Sequence, residues 1–156
     1  MSLDIETLRS SFNLVVERNP EVTTRFYEIF FERYPEVRPM FGKRNASTVQ
    51  SKMLTEALVA VLDHIEDAPW LEQQLKALGG KHVTYGVKDE MYAWVGECLI
   101  AAMAEVAGDD WTPRVEQAWV AAYGAIAGLA IAGANEARIA AEKDAAPTSK
   151  SATPAV

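Results

Sequence analysis

The chain has 156 residues, 49% of them hydrophobic, and a formal net charge of −7. That is the length of one domain, with enough apolar side chains to bury a core without disulfides or a structural metal. The acidic balance excludes the electrostatic footprint of a nucleic-acid binder or of a protein drawn to an anionic membrane, and the single cysteine, Cys98, excludes an intramolecular disulfide.

Helix signals fill the sequence. Leu8, Phe12, Val15 and Val16 recur at helical spacing and predict a first helix from about Asp4 to Glu17. Asn19-Pro20-Glu21 is a start signal: a capping side chain, Pro at the first helical position, then an acid. The helix that follows reaches about Tyr34, and Pro35 opens a short helical turn ending near Pro39-Met40-Phe41. Gly42 to Ser47 reads as loop. Leu54, Ala57, Leu58, Val61, Leu62 and Ile65 mark a long helix from about Ser47 to Glu66. Asp67-Ala68-Pro69 restarts the chain into a helix with Leu71, Leu75 and Leu78 on one stripe; the next position on that stripe is His82. The pattern breaks at Gly86, and Val87 follows. Asp89 opens a helix to about Ala107, ended by Gly108. Thr112-Pro113 repeats the cap-then-proline signature and starts a last helix to about Lys143. Residues 144–156, rich in Ala, Ser, Thr and Pro, are expected to be a disordered tail on a domain of residues 1–143. Strand-like alternation and internal repeats are absent from the sequence, so the expected class is all-α.

Two features bear on location. Asp4 and Glu6 stand where a secretory signal would be apolar, which reads as a cytoplasmic protein. The stretch from Ala118 to Ala134 has no charge and contains a GxxxG match at Gly124 and Gly128. It is at the short limit for a membrane span and reads better as the central, fully packed helix of a soluble bundle.

Four polar side chains lie on apolar stripes. His82 extends the leucine stripe, Tyr27 sits among Phe26, Phe30, Phe31 and Tyr34, Gln50 lies one turn before Leu54, and Tyr92 precedes Val95, Leu99, Ala102 and Val106. A buried phenol or carboxamide without a partner costs roughly 1–3 kcal/mol. One such residue is ordinarily satisfied by backbone or water; four, each from a different helix, favour a shared ligand. Imidazole is the commonest protein metal ligand, and a single one often holds haem iron. HExxH, CxxC, Ser-His-Asp and phosphate-loop patterns are missing. His64, between Asp63 and Glu66 near a helix end, reads as solvated.

Tyr27, the segment Pro35-Glu36-Val37-Arg38-Pro39-Met40-Phe41, Gln50, Lys52, and Gly80-Lys81-His82 through Gly86-Val87 to Tyr92 resemble the bacterial single-domain haemoglobins and the globin domain of flavohaemoglobins. Trp119 to Gly124 is similar to the last-helix signature of that group, and the likeness runs from about Leu3 to Ala140. The resemblance implies a three-over-three globin sandwich with non-covalent haem b, since one cysteine cannot build a CxxCH attachment. It makes His82 the iron ligand and Phe41 the ring stacked on the macrocycle. It makes Tyr27 and Gln50 the distal donors to a bound diatomic and Leu54 the distal wall. Leu78, Val87 and Val95 would pack on the proximal side and ring edge, Tyr92 would bond the proximal region, and Lys52 and Lys81 would reach propionate or solvent.

One departure stands out. Flavohaemoglobin-type globins complete their proximal set with a glutamate on the last helix, and counting from Trp119 that position is Ala134. Glu136 lies two residues on, about 200° around the helix. The resemblance therefore implies a globin that binds O2, NO and CO reversibly, with O2 carriage as its plain use. Oxidation of nitric oxide to nitrate is open to it if an external reductase supplies electrons, because these 156 residues leave no room for a flavin domain. A gas or redox sensor domain and a haemless globin-fold interaction module are the alternatives. The expected partners are the diatomic gases and such a reductase, in a monomer or homodimer.

Overall fold

The structure, a computed structural model, describes the backbone of residues 3–41 and 46–155 and the side chains of residues 3–41 and 50–144. Helix α1 (Ile5–Arg18) starts where Asp4 accepts the Thr7 N–H at 3.3 Å, which satisfies one of the free donors of a helix start. Asn19 does act ahead of α2 (Val22–Arg33), but its Oδ1 accepts the Glu21 N–H at 3.0 Å. Pro20 and Glu21 therefore form the turn before α2 rather than its first helical positions. A short 3₁₀ helix spans Pro35–Met40. Of the expected loop at 42–47, residues 42–45 lie outside the described residues, and α3 (Ala46–Asp63) is already helical at Ala46.

Asp67 caps α4 (Ala68–Thr84) by accepting the Trp70 N–H at 3.2 Å. Helix α5 (Asp89–Ala107) ends at Gly108, whose φ of +57° favours glycine. Helix α6 (Pro113–Ala155) continues past the end expected near Lys143. The side chains of 145–155 lie outside the described residues, and most of the expected tail at 144–156 falls there.

The described residues contain no strand, and the helices pack as the expected three-over-three sandwich. The core centres on Leu8 and Val15 of α1, Phe26 of α2, and Cys98, Ala102 and Met103 of α5, all essentially removed from solvent. Trp119 closes it from α6, its indole N–H donating to Ser11 Oγ at 2.9 Å. Helices α5 and α6 are long and apolar enough to cross a membrane. Here both are long helices of the sandwich.

The closest helix crossing is α4 on α6. A Cβ at Gly79 would overlap the Ala130 carbonyl, and one at Gly133 would overlap the Lys76 carbonyl. Gly124 and Gly128, the GxxxG pair, meet nothing there. Helix α3 instead packs on α1 and α2. The two helices α3 and α4 are thus held by different neighbours, and the cleft that the resemblance implies would lie between them.

Candidate functional site

His82 stands in the last turn of α4 with its Nδ1 2.7 Å from the carbonyl oxygen of Leu78. A carbonyl only accepts, so Nδ1 carries the proton and donates, and the lone pair of Nε2 is left free. The chain then folds back beneath the histidine. Gly86 adopts φ +82°, and the Val87 N–H donates to the His82 carbonyl at 3.2 Å. This is the physical use of the Gly86-Val87 pair: a left-handed residue turns the chain so that the Val87 backbone closes on the end of α4 at His82. Leu78, Val87 and Val95 are all half-buried.

The expected distal Tyr27 lies in an aromatic cluster. Tyr27, only 7% exposed, lies edge-on to Phe41 at 5.7 Å between ring centres, and Phe31 meets Phe41 at 5.3 Å. Tyr27 Oη has no hydrogen bond among the described residues. Burial pushes its phenol up to about 12, so it is a neutral donor at ordinary pH. Gln50 and Leu54 are half-buried on α3. Their register against Tyr27 is set by a buried clasp: Thr23 Oγ1, one turn before Tyr27, donates to the Ser51 carbonyl at 3.0 Å and meets Thr55 Oγ1 at 2.8 Å. Ser51 adjoins Gln50 and Thr55 adjoins Leu54. Sequence reasoning missed this clasp and also Phe31, which the apolar stripe of α2 contained. Lys52 and Lys81 are exposed.

Tyr92 is buried at 8% exposure, and its Oη has no partner among the described residues. Its ring centre lies 6.3 Å from that of His82. Its carbonyl accepts the Tyr123 O–H at 2.5 Å, which holds α6 on α5. Ala134 is buried on α6, while Glu136 points outward and pairs with Lys76 at 2.9 Å. His64 departs from the solvated reading: it is half-buried and stacked on Trp70, 3.9 Å between ring centres and 15° between planes. It closes the corner between α3 and α4 and is not part of the cleft set.

These residues fit a flat apolar macrocycle with one axial protein ligand. The residues expected around it offer half-buried apolar side chains, an imidazole whose Nδ1 is already bonded, and one buried phenol oxygen, that of Tyr92, without a partner among the described residues. Among the described residues no three of His, Cys, Asp and Glu are placed to hold a bare metal ion; a porphyrin needs only one such ligand, because it supplies the other nitrogens itself. Fold and site together define an all-α haem-binding protein.

A family model for globins matches residues 24–129, and the chain belongs to the globin family. It is 39% identical over 124 residues to a flavohemoprotein of Bacillus thuringiensis subsp. konkukian, covering 79% of this chain and 30% of that protein. The chain thus spans about a third of the length of the curated relatives it matches. Among solved structures, a bacterial globin from Campylobacter jejuni is 30% identical with a TM-score of 0.73, covering 85% of this chain and 94% of that one. An engineered carbene transferase from Rhodothermus marinus is 29% identical with a TM-score of 0.74, covering 88% and 95%. The cofactor of this globin is haem b, and the fold is that of bacterial globins.

Proposed function

We propose that this globin holds haem b through Nε2 of His82 and binds O2, NO and CO reversibly at the side walled by Tyr27, Gln50 and Leu54. The observation that carries this reading is the 2.7 Å contact of His82 Nδ1 with the Leu78 carbonyl oxygen, from which the tautomer follows. Its Nδ1–H is committed to the Leu78 carbonyl, which leaves Nε2 as the free donor atom on the cleft side of α4. Phe41 supplies an aromatic face for the macrocycle; Leu78, Val87 and Val95 line it from the other side, and Lys52 and Lys81 stand where propionates would meet solvent.

When bound, the haem supplies the reversible binding of the diatomic. The chain supplies the rest. Tyr27 Oη and the Gln50 amide offer donors to a polar diatomic, and the aromatic wall around Tyr27 excludes water, which strengthens each hydrogen bond. With electrons from a separate flavin reductase, the same site oxidises nitric oxide to nitrate. We place the protein in the cytoplasm, as a monomer or homodimer. The domain is read as residues 1–143, with 144–156 as a tail. Absorption spectra of the ferric, ferrous and CO forms test the reading. A Soret band that is present in the wild type and lost in His82→Ala supports it, and a colourless purified protein that takes up no haem sinks it.

A further inference from the structure

We propose that a column of aromatic rings running from Phe41 to Trp94 leads oxidising equivalents out of the cleft, with Tyr34 giving up the electron and Glu97 receiving its proton. The inference rests on haem in the cleft as the place where the oxidant reacts. The column is continuous: Phe41 to Phe31 is 5.3 Å between ring centres, Phe31 to Phe30 is 6.0 Å, Phe30 to Tyr34 is 6.3 Å, and Tyr34 to Trp94 is 4.5 Å. Tyr27 joins it at Phe31, 5.8 Å away. Tyr27 on α2 and Tyr34 at its C-terminal cap are seven residues apart, about 10.5 Å at helical rise. That is one tunnelling step through packed rings, with a redox-active phenol at each end.

The outer end is built for proton-coupled oxidation. Tyr34 Oη donates to Glu97 Oε1 at 2.6 Å, and Arg33 Nη1 holds the other carboxylate oxygen at 2.7 Å. The bond to Glu97 raises the phenol's pKa, and the bonds from Tyr34 and Arg33 lower that of Glu97, so a protonated donor faces an ionised acceptor. The Trp94 ring lies parallel to Tyr34, 5° between planes, and is half-exposed. None of these groups touches the cleft, and packing α2 on α5 would not require a phenol bonded to a carboxylate and stacked on an indole.

The oxidant is a peroxide, ROOH. Breaking its O–O bond takes two electrons and two solvent protons and yields ROH and water. Haem, when bound, would supply one electron, which the reductase would restore. The other comes from Tyr34: its O–H bond breaks, the electron passes inward along the column, and the proton moves to Glu97. Tyr34 is left as a neutral phenoxyl radical. An external one-electron donor of the thiol or ascorbate class then reduces it, and Glu97 returns the proton.

Two arms test this. Haem-loaded protein is treated with hydrogen peroxide and freeze-quenched for electron paramagnetic resonance, then digested for peptide mass spectrometry. Haem-free protein is oxidised by a photogenerated ruthenium(III) complex and analysed in the same way. The expected result is a tyrosyl signal with oxidised Tyr34 and Trp94 in both arms. Tyr34→Phe keeps the ring column but should remove the Tyr34 component of that signal, move oxidation to Tyr27, and speed haem bleaching several-fold. Glu97→Gln keeps an acceptor but not a base and should lower the radical yield with CO binding unchanged. An unchanged signal and product pattern in Tyr34→Phe overturns the proposal. Oxidation of Tyr34 in the haem-free arm alone overturns the link to the cleft. A protein that takes up no haem fails the functional reading instead, while the ruthenium arm still tests the Tyr34–Glu97 step.

Discussion

His82 and Leu78 stand one helical turn apart on α4, and the imidazole Nδ1 is tied to the Leu78 carbonyl at 2.7 Å. The bond selects one tautomer and aims Nε2 away from its own helix. His82→Ala should therefore lose stable haem, while His64→Ala, which removes only the stack on Trp70, should keep it. A normal five-coordinate ferrous spectrum in the His82 variant would show that another group holds the iron.

The same bond predicts weak peroxidase character. A haem histidine gains basicity when its second nitrogen donates to a carboxylate, and here it donates to a neutral carbonyl. Ala134 occupies the last-helix position, and Glu136 is drawn outward by Lys76. Ala134→Glu should raise the ferrous iron–histidine stretching frequency and speed reaction with hydrogen peroxide by about 10–100-fold. The unpartnered Tyr92 Oη gives the new carboxylate a donor. A wild-type stretch already in the peroxidase range would mean that a carboxylate reaches His82 after all.

Tyr27→Phe should release O2 faster with CO little changed. Bound O2 carries partial negative charge and CO much less, so only O2 feels the phenol. A hydrogen bond of about 1.5 kcal/mol corresponds to a roughly tenfold change in dissociation rate, read by flash photolysis or stopped flow. Equal shifts for both gases would make the effect steric.

The same phenol ties stability to alkaline pH. Its value rises from 10.0 to about 12 on folding because burial disfavours the phenolate. A raised folded value contributes stability fully present below about pH 10 and lost as pH climbs toward 12. Unfolding free energy should fall less steeply over that window in Tyr27→Phe than in the wild type. Parallel slopes would contradict the burial of Tyr27.

Gly79→Ala and Gly133→Ala should each destabilise the protein, because the added methyl meets backbone of the facing helix and no rotamer can move aside. Overpacking of this kind costs about 1–3 kcal/mol, measurable by urea unfolding. Gly124→Ala and Gly128→Ala add a methyl into open space and should leave stability the same or higher, since alanine favours helix. Equal losses at all four would mean that helix α6 packs differently.

The sequence alone determined the helices and the polar groups on their apolar stripes, because both are local. Periodicity fixes which residues share a face, and Asp, Pro and Gly signals mark the ends within a few positions. His82, Tyr27 and Gln50 were legible because each breaks an apolar stripe. Tertiary structure alone decided what each face meets. GxxxG spacing marked Gly124 and Gly128, yet the close crossing falls at Gly79 and Gly133, since spacing along one helix carries no information about its neighbour. His64 looked solvated beside its acids, but the turn into α4 brings Trp70 over its ring. The clasp from Thr23 to Ser51 and Thr55, the partner of His82 Nδ1, and the ring column ending at Tyr34 and Trp94 are contacts in space. Most of them join residues far apart in the chain, and the packing of six helices chooses them.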